Sequence, residues 1–269
     1  MERLAKSDPG NAGSQRDLQV SYNKVGDALV AQGNLSEALQ SYGDGLAIME
    51  RLAKSDPGNA RWQRELSVSY ERIGSVLVAQ GNLLEALSSH RDGLAIRERL
   101  AKSDLGNAGW QRDLSLSYDE VGDVQVAQRN LSEALQSYRD GLAIRERLAK
   151  SDPDNAGWQR DLSVSYERIG NVIAQGNQPE ALQFYREGLA IRKRLAKSDP
   201  GNSGWQRDLA VVHSKVGVAL QKMGEMASAR EELLAGRMIM ATLVEQNPGW
   251  AEWKTDLAWF DNQLAGLGR

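Results

Sequence analysis

Ser55-Asp56-Pro57-Gly58-Asn59-Ala60, Trp62, Tyr70-Glu71-Arg72-Ile73-Gly74, Gln80-Gly81-Asn82 and Ile96-Arg97-Glu98-Arg99-Leu100-Ala101-Lys102 punctuate one stretch of 48 residues, and the chain then starts again. Ser7, Ser55, Ser103, Ser151 and Ser198 open successive copies at spacings of 48, 48, 48 and 47. A fixed period of this size means a repeat array, in which each unit buries its apolar face on the next. The units run about 7–54, 55–102, 103–150, 151–197 and 198–246, with a closing segment at 247–269.

Within one copy, Asp56-Pro57-Gly58-Asn59 reads as a turn, because proline fixes φ and glycine admits left-handed backbone. From about Asn59 to Gln80, Trp62, Leu66, Tyr70, Ile73 and Leu77 recur at steps of three and four, the stripe of an amphipathic helix. Gly81 is the stop. Asn82 with Glu85 predicts a capping box for a second helix over about Leu83 to Lys102, and Asn34/Glu37 and Asn130/Glu133 repeat the device. Nothing alternates with the period of a strand. Each unit is thus a hairpin of two helices, each about 30 Å long at 1.5 Å per residue.

The ends differ from the middle. Residues 1–7 match only the last turns of a second helix, so the array begins mid-unit. Pro248, Trp253, Asp256 and Leu257 match Pro200, Trp205, Asp208 and Leu209, which makes residues 249–267 a lone first helix acting as a cap. Trp62, Trp110, Trp158, Trp205 and Trp253 share one repeat position, where the first copy has Ser14. Burial of each ring against the preceding unit, worth roughly 2–3 kcal/mol, explains the pattern.

The 269 residues carry 33 basic and 36 acidic side chains and no cysteine. This balance gives no basic stripe for nucleic acid, and disulfides and thiolate metal sites are excluded. No run approaches the ~18 apolar residues of a membrane helix. Met1-Glu2-Arg3-Leu4-Ala5-Lys6 has no apolar segment of a signal peptide, so a cytoplasmic protein is the expectation.

The units resemble the tetratricopeptide repeat, whose pattern is an aromatic, an aliphatic-glycine pair, an aromatic or aliphatic residue, a small residue, an aromatic, a small residue and a proline. The first copy reads Tyr22, Val25-Gly26, Leu29, Ala38, Tyr42, Gly45, Asp56-Pro57, and the second Tyr70, Ile73-Gly74, Leu77, Ala86, His90, Gly93. The third reads Tyr118, Val121-Gly122, Gln125, Ala134, Tyr138, Gly141, Asp152-Pro153, and the fourth Tyr166, Ile169-Gly170, Ile173, Ala181, Tyr185, Gly188, Asp199-Pro200. The fifth is the most divergent, with His213, Val216-Gly217, Leu220, Ala229, Leu233, Gly236 and Asn247-Pro248. The family period is 34 residues, and the surplus here lies about seven residues before and seven after this core, close to two turns on each helix. The fourth copy lacks one residue near Val172-Ile173-Ala174, which predicts a tightened end to its first helix. The resemblance implies an all-α, right-handed α-solenoid of five antiparallel hairpins and a capping helix.

No catalytic residue, metal site or cofactor is expected. His90 and His213 replace packing aromatics. Asp17, Glu65, Asp113, Asp161 and Asp208, each after an arginine, recur in every copy and read as a ladder of solvated charge. Neither a phosphate-binding glycine loop nor a nucleophile elbow occurs. Asn34-Leu35-Ser36 and Asn130-Leu131-Ser132 match a glycosylation acceptor but are better read as helix caps.

The informative positions vary within the fixed frame. They form three rows: Asn23, Glu71, Asp119, Glu167 and Ser214; Lys24, Arg72, Glu120, Arg168 and Lys215; and Asp27, Ser75, Asp123, Asn171 and Val218. The resemblance implies that first helices line a concave groove and that these offsets hold a protein or peptide partner, the polar members of the three rows being the candidate site. Glu120 interrupts the basic row, and Asp27 and Asp123 stand where asparagines are wanted, so no clamp for a C-terminal carboxylate is expected. Met223, Met226, Met238 and Met240 with Trp250, Trp253, Trp259 and Phe260 mark an apolar C-terminal cap. The expected function is a non-catalytic interaction scaffold, with no nucleic acid and no membrane as partner. A module that self-associates through its repeat ends, and a regulatory arm of a larger protein, are the alternatives.

Overall fold

The computed structural model describes residues 11–267, and the expectation about residues 1–7 lies outside them. Eleven helices and no strand occur among the described residues. They are α1 (Ala12–Ala31), α2 (Leu35–Ser55), α3 (Ala60–Ala79), α4 (Leu83–Ser103), α5 (Ala108–Ala127), α6 (Leu131–Ser151), α7 (Ala156–Ile173), α8 (Gln178–Ser198), α9 (Ser203–Lys222), α10 (Met226–Gln246) and α11 (Ala251–Gly266). The chain divides into two compact units, Met1–Gly141 and Leu142–Arg269.

In both units the main packing is between helices consecutive in the chain. Within a hairpin the register is antiparallel: Tyr42 meets Asp27, and Ser41 reaches the Tyr22 carbonyl at 2.9 Å. Each aliphatic-glycine pair exists for this approach. A Cβ on Gly74 would lie 2.6 Å from the His90 ring, and one on Gly170 2.6 Å from Tyr185, so only glycine lets the second-helix aromatic lie flat on the first helix.

Between hairpins the apolar stripes merge. Ile48, Met49, Leu52 and Ala53 of α2, Leu66 of α3 and Ile96 and Leu100 of α4 make one core, with Trp62 and Trp110 packed at its edge. In the second unit Ala210 of α9, Leu233, Met240 and Leu243 of α10 and Trp253 and Phe260 of α11 do the same. The tryptophans are less buried than the period suggests. Trp62, Trp110, Trp158 and Trp205 are partly exposed, and Trp253 of the cap is buried. A polar tie accompanies them: Gln63, Gln111, Gln159 and Gln206 each donate Nε2 to a carbonyl near the end of the preceding helix, Ala53, Ala101, Ala149 and Ala196, at 2.9 to 3.3 Å. Those carbonyls lack an intrahelical donor, so the bond removes a buried deficit.

The expected capping boxes do not form: Asn34 and Asn82 make no side-chain cap bond. Gly81 has φ +81 and completes a paired C-terminal lock, with Asn82 N donating to Leu77 O at 2.9 Å and Gly81 N to Val78 O at 2.9 Å. That geometry puts Asn82 at φ −80, ψ 62, an inverse γ-turn in which Leu83 N reaches Gly81 O at 2.9 Å. The helix start is closed by backbone, and the side chain is turned away. Capping by asparagine occurs instead at the first helices. Asn11, Asn59, Asn107, Asn155 and Asn202 lie at ψ 92 to 100 and accept from the amide three residues on at 3.0 to 3.2 Å. The fourth repeat, one residue short, ends α7 after 18 residues, and its Asn177 accepts from Glu180 N at 3.2 Å while donating to the Glu180 carboxylate at 2.8 Å.

Candidate protein-binding face

The three rows of the first helices part company in the structure. The row Asn23, Glu71, Asp119, Glu167 and Ser214 turns inward. Asp119 is buried, Ser214 bonds the Val211 carbonyl, and Glu71 and Glu167 accept from Arg97 and Arg192 at 2.5 and 2.6 Å. Those arginines sit on second helices with 5% and 4% exposure. Arg97 also donates to Ser67 Oγ at 3.2 Å, Ser117 Oγ at 2.7 Å and the Asp113 carbonyl at 3.3 Å, so one guanidinium joins α3, α4 and α5. Arg192 repeats this with Ser163 and the Asp208 carbonyl, and Arg145 with Ser165. Five planar donors suit such a site, and a buried charge needs them satisfied.

The sequence contains a signal for this cluster. The position of Arg97, Arg145 and Arg192 holds Met49 in the first repeat and Met240 in the fifth, both fully buried. Exchange of arginine with methionine marks a long side chain inside the protein, and the small Ser67 and Ser163 beneath the arginines give way to Gln19 and Ala210 beneath the methionines.

The third row faces solvent at Asp27, Ser75, Asp123 and Asn171. The hydroxyls of Tyr42, Tyr138 and Tyr185 donate to Asp27 and Asp123 at 2.7 Å and to Asn171 at 3.0 Å. Where the aromatic is His90 the row has Ser75, and where it is Leu233 the row has Val218. Burial pushes the Tyr185 hydroxyl up to about 12, with the Glu167 charge adding to it.

The second row answers the preceding repeat. Arg72 pairs with Asp27 and lies over the Tyr42 ring, 5.6 Å from its centroid. Glu120 breaks the basic row because the preceding repeat has His90 in place of tyrosine. His90 Nδ1 is 3.5 Å from its carboxylate and Arg97 is 3.9 Å away. Burial raises the Glu120 carboxyl above its usual range, opposed by its bond to His90. Lys24 is exposed, and Arg168 and Lys215 are partly so.

The carboxylates that follow the arginines, and Asp256 at the same position in the cap, link repeats. Arg16 pairs with Glu65 at 2.9 Å, Arg64 with Asp113 at 2.5 Å, Arg160 with Asp208 at 2.5 Å and Arg207 with Asp256 at 3.0 Å. All are partly exposed, so each contributes roughly 0–1 kcal/mol. Both histidines are structural parts: His90 packs on Gly74, and His213 Nδ1 lies 2.5 Å from Glu232, whose carboxyl that bond holds below its usual range.

In the second unit the face deepens into a cavity of about 880 Å³, lined among others by Asn171, Ser214, Lys215, Val218, Met240 and Trp259. Asn171, Ser214 and Lys215 are members of the rows above, and Lys222 and Trp259 join them outside any row.

A tetratricopeptide-repeat family model matches residues 19–57, 67–104 and 172–200. These three segments carry the tetratricopeptide-repeat pattern. Among solved structures, BtubC (BKLC) from P. vanneervenii has a TM-score of 0.68 at 16% identity, over 93% of this chain and 87% of that one. A putative kinesin light chain of nearly identical repeats from Podosopora anserina gives 0.59 at 17%, over 85% and 97%, and apo RapI gives 0.63 at 13%, over 92% and 80%. At these identities the likeness is one of fold, an all-α helical-repeat solenoid. No curated protein matches the sequence.

Proposed function

We propose that this tetratricopeptide-repeat chain is a non-catalytic scaffold that holds a protein or peptide on the solvent side of its first helices. The observation that carries the reading is the split among the rows. Asn23, Glu71, Asp119, Glu167 and Ser214 turn toward the repeats themselves, while Lys24, Asp27, Ser75, Asp123 and Asn171 stay in solvent, with Arg72, Arg168, Glu120 and Lys215 between. No cluster of possible metal ligands occurs among the described residues, and no described helix is long and apolar enough to cross a membrane. A mixed-charge partner surface suits two adjacent rows that set Lys24 and Arg72 beside Asp27 and Asp123.

The test is affinity capture from the native host with the full chain and with a Lys24→Glu, Ser75→Arg, Asn171→Arg variant. Lys24 and Ser75 are outside the packing, and Asn171 is exposed with one bond from the Tyr185 hydroxyl, so helicity should be unchanged and the captured partner lost. Capture of the same partner at the same level by the variant removes the assignment. Changing Glu71 and Glu167 would not test it, because those residues hold Arg97 and Arg192.

A further inference from the structure

The cavity of the second unit has properties that the other repeats do not need. About 880 Å³ falls in the range of small-molecule sites, roughly 300–1,000 Å³. Two substitutions peculiar to the fifth repeat remove polar groups around it. Leu233 stands where the first, third and fourth repeats have tyrosine and the second has His90, and Val218, which lines the cavity, stands where those tyrosines have their hydroxyl acceptor. Met240 and Phe260, both buried, line the cavity, and the partly exposed Trp259 of α11 stands beside them where the repeats have Val20, Val68, Leu116, Val164 and Val211. Along α9, Val211, Lys215, Val218 and Lys222 form one stripe at helical spacing and all line the cavity. The two lysines are seven residues apart, about 10 Å along the axis, and bracket Val218. Neither has a carboxylate within ion-pair distance among the described residues. The lining acid Asp256 is already held by Arg207 at 3.0 Å.

We infer that this cavity binds a small amphipathic organic anion, a molecule with a ring or branched apolar body and one acidic group. The body lies against Val211, Val218 and Trp259. The acid meets Lys215 or Lys222, with Ser214 and Asn171 as polar neighbours. The site does not depend on the scaffold reading, since its ligand is not a macromolecule.

The probe is 8-anilinonaphthalene-1-sulfonate, an aromatic anion whose emission rises in apolar surroundings, with neutral N-phenyl-1-naphthylamine as its uncharged counterpart. The full chain should bind one equivalent of the sulfonate saturably, with energy transfer from tryptophan that falls in Trp259→Phe. Lys215→Met with Lys222→Met should weaken the sulfonate about fivefold or more while leaving the neutral dye unchanged, since partly exposed charge pairs contribute on the order of 1 kcal/mol. Val218→Asp should weaken both dyes. Val218 is partly exposed, so the new carboxylate can keep contact with water. Circular dichroism of each variant should match the parent. Sulfonate binding that is unaffected by the lysine pair and by Val218→Asp, or that never saturates, overturns the site.

Discussion

Tyr42 and His90 fill the same place in successive repeats, and their surroundings differ accordingly. Tyr42 lies on Gly26, donates its hydroxyl to Asp27 and receives Arg72 from the next repeat over its ring. His90 lies on Gly74, has Ser75 in place of the aspartate and meets Glu120 from the next repeat. Three positions in two neighbouring repeats change together, and the backbone does not. A position that varies along an otherwise constant array is therefore not by itself a partner contact. Some of the variation is each repeat answering the side chain beside it.

The largest test of this inward bookkeeping is the buried arginine. Glu167→Ala leaves Arg192 buried with one charge partner removed and should cost about 3 kcal/mol in urea unfolding. Glu71→Ala should cost less, about 2 kcal/mol, because Glu71 is 36% exposed against 18% for Glu167 and water can partly replace it. Arg97→Met combined with Glu71→Gln should recover most of the loss, since Met49 and Met240 already fill that place. A double variant no better than Glu71→Ala would mean that the arginine joins the repeats in a way packing cannot replace.

The comparison itself is tested by converting the second repeat to the solution of the first. His90→Tyr alone places a hydroxyl opposite Ser75 and a ring against Glu120, and should cost about 1–2 kcal/mol. Adding Ser75→Asp and Glu120→Arg restores the donor, acceptor and cation of Tyr42, Asp27 and Arg72, and should return stability to within about 0.5 kcal/mol of the parent. The coupling free energy among the three, read from a mutant cycle, should then exceed the scatter of independent sites. Additive effects would show that the three positions vary independently.

Helix number, hairpin register and the glycine stops were legible because each rests on local chemistry that recurs five times. A period of 48, a stripe at steps of three and four and a left-handed glycine need no tertiary information. The rows were legible as rows but not by their direction. Glu71 and Asp123 look alike in sequence, and only packing against Arg97 or the Tyr138 hydroxyl separates an internal ion pair from an exposed acceptor. The cap at Asn82 was misread for a related reason. Gln80-Gly81-Asn82 and Asp56-Pro57-Gly58-Asn59 both end in asparagine, and ψ, 62 in one and 94 in the other, decides which side chain reaches the helix.

The third repeat offers the smallest and cleanest change. Gly33, Gly81 and Gly224 end first helices at φ +79 to +84, and Arg129 stands in the same place at φ +64. A residue with a Cβ in that region costs roughly 1–2 kcal/mol, whereas glycine adopts it freely and loses some of the gain to its larger unfolded-state entropy. The Arg129 side chain is exposed and belongs to no ion pair among the described residues, so nothing offsets the strain. Arg129→Gly should therefore raise stability by about 1 kcal/mol, seen as a higher urea midpoint with an unchanged slope. A fall in the midpoint would show that the arginine side chain contributes a contact that outweighs its backbone, and would set the third repeat apart from the first, second and fifth, where the turn alone closes the hairpin.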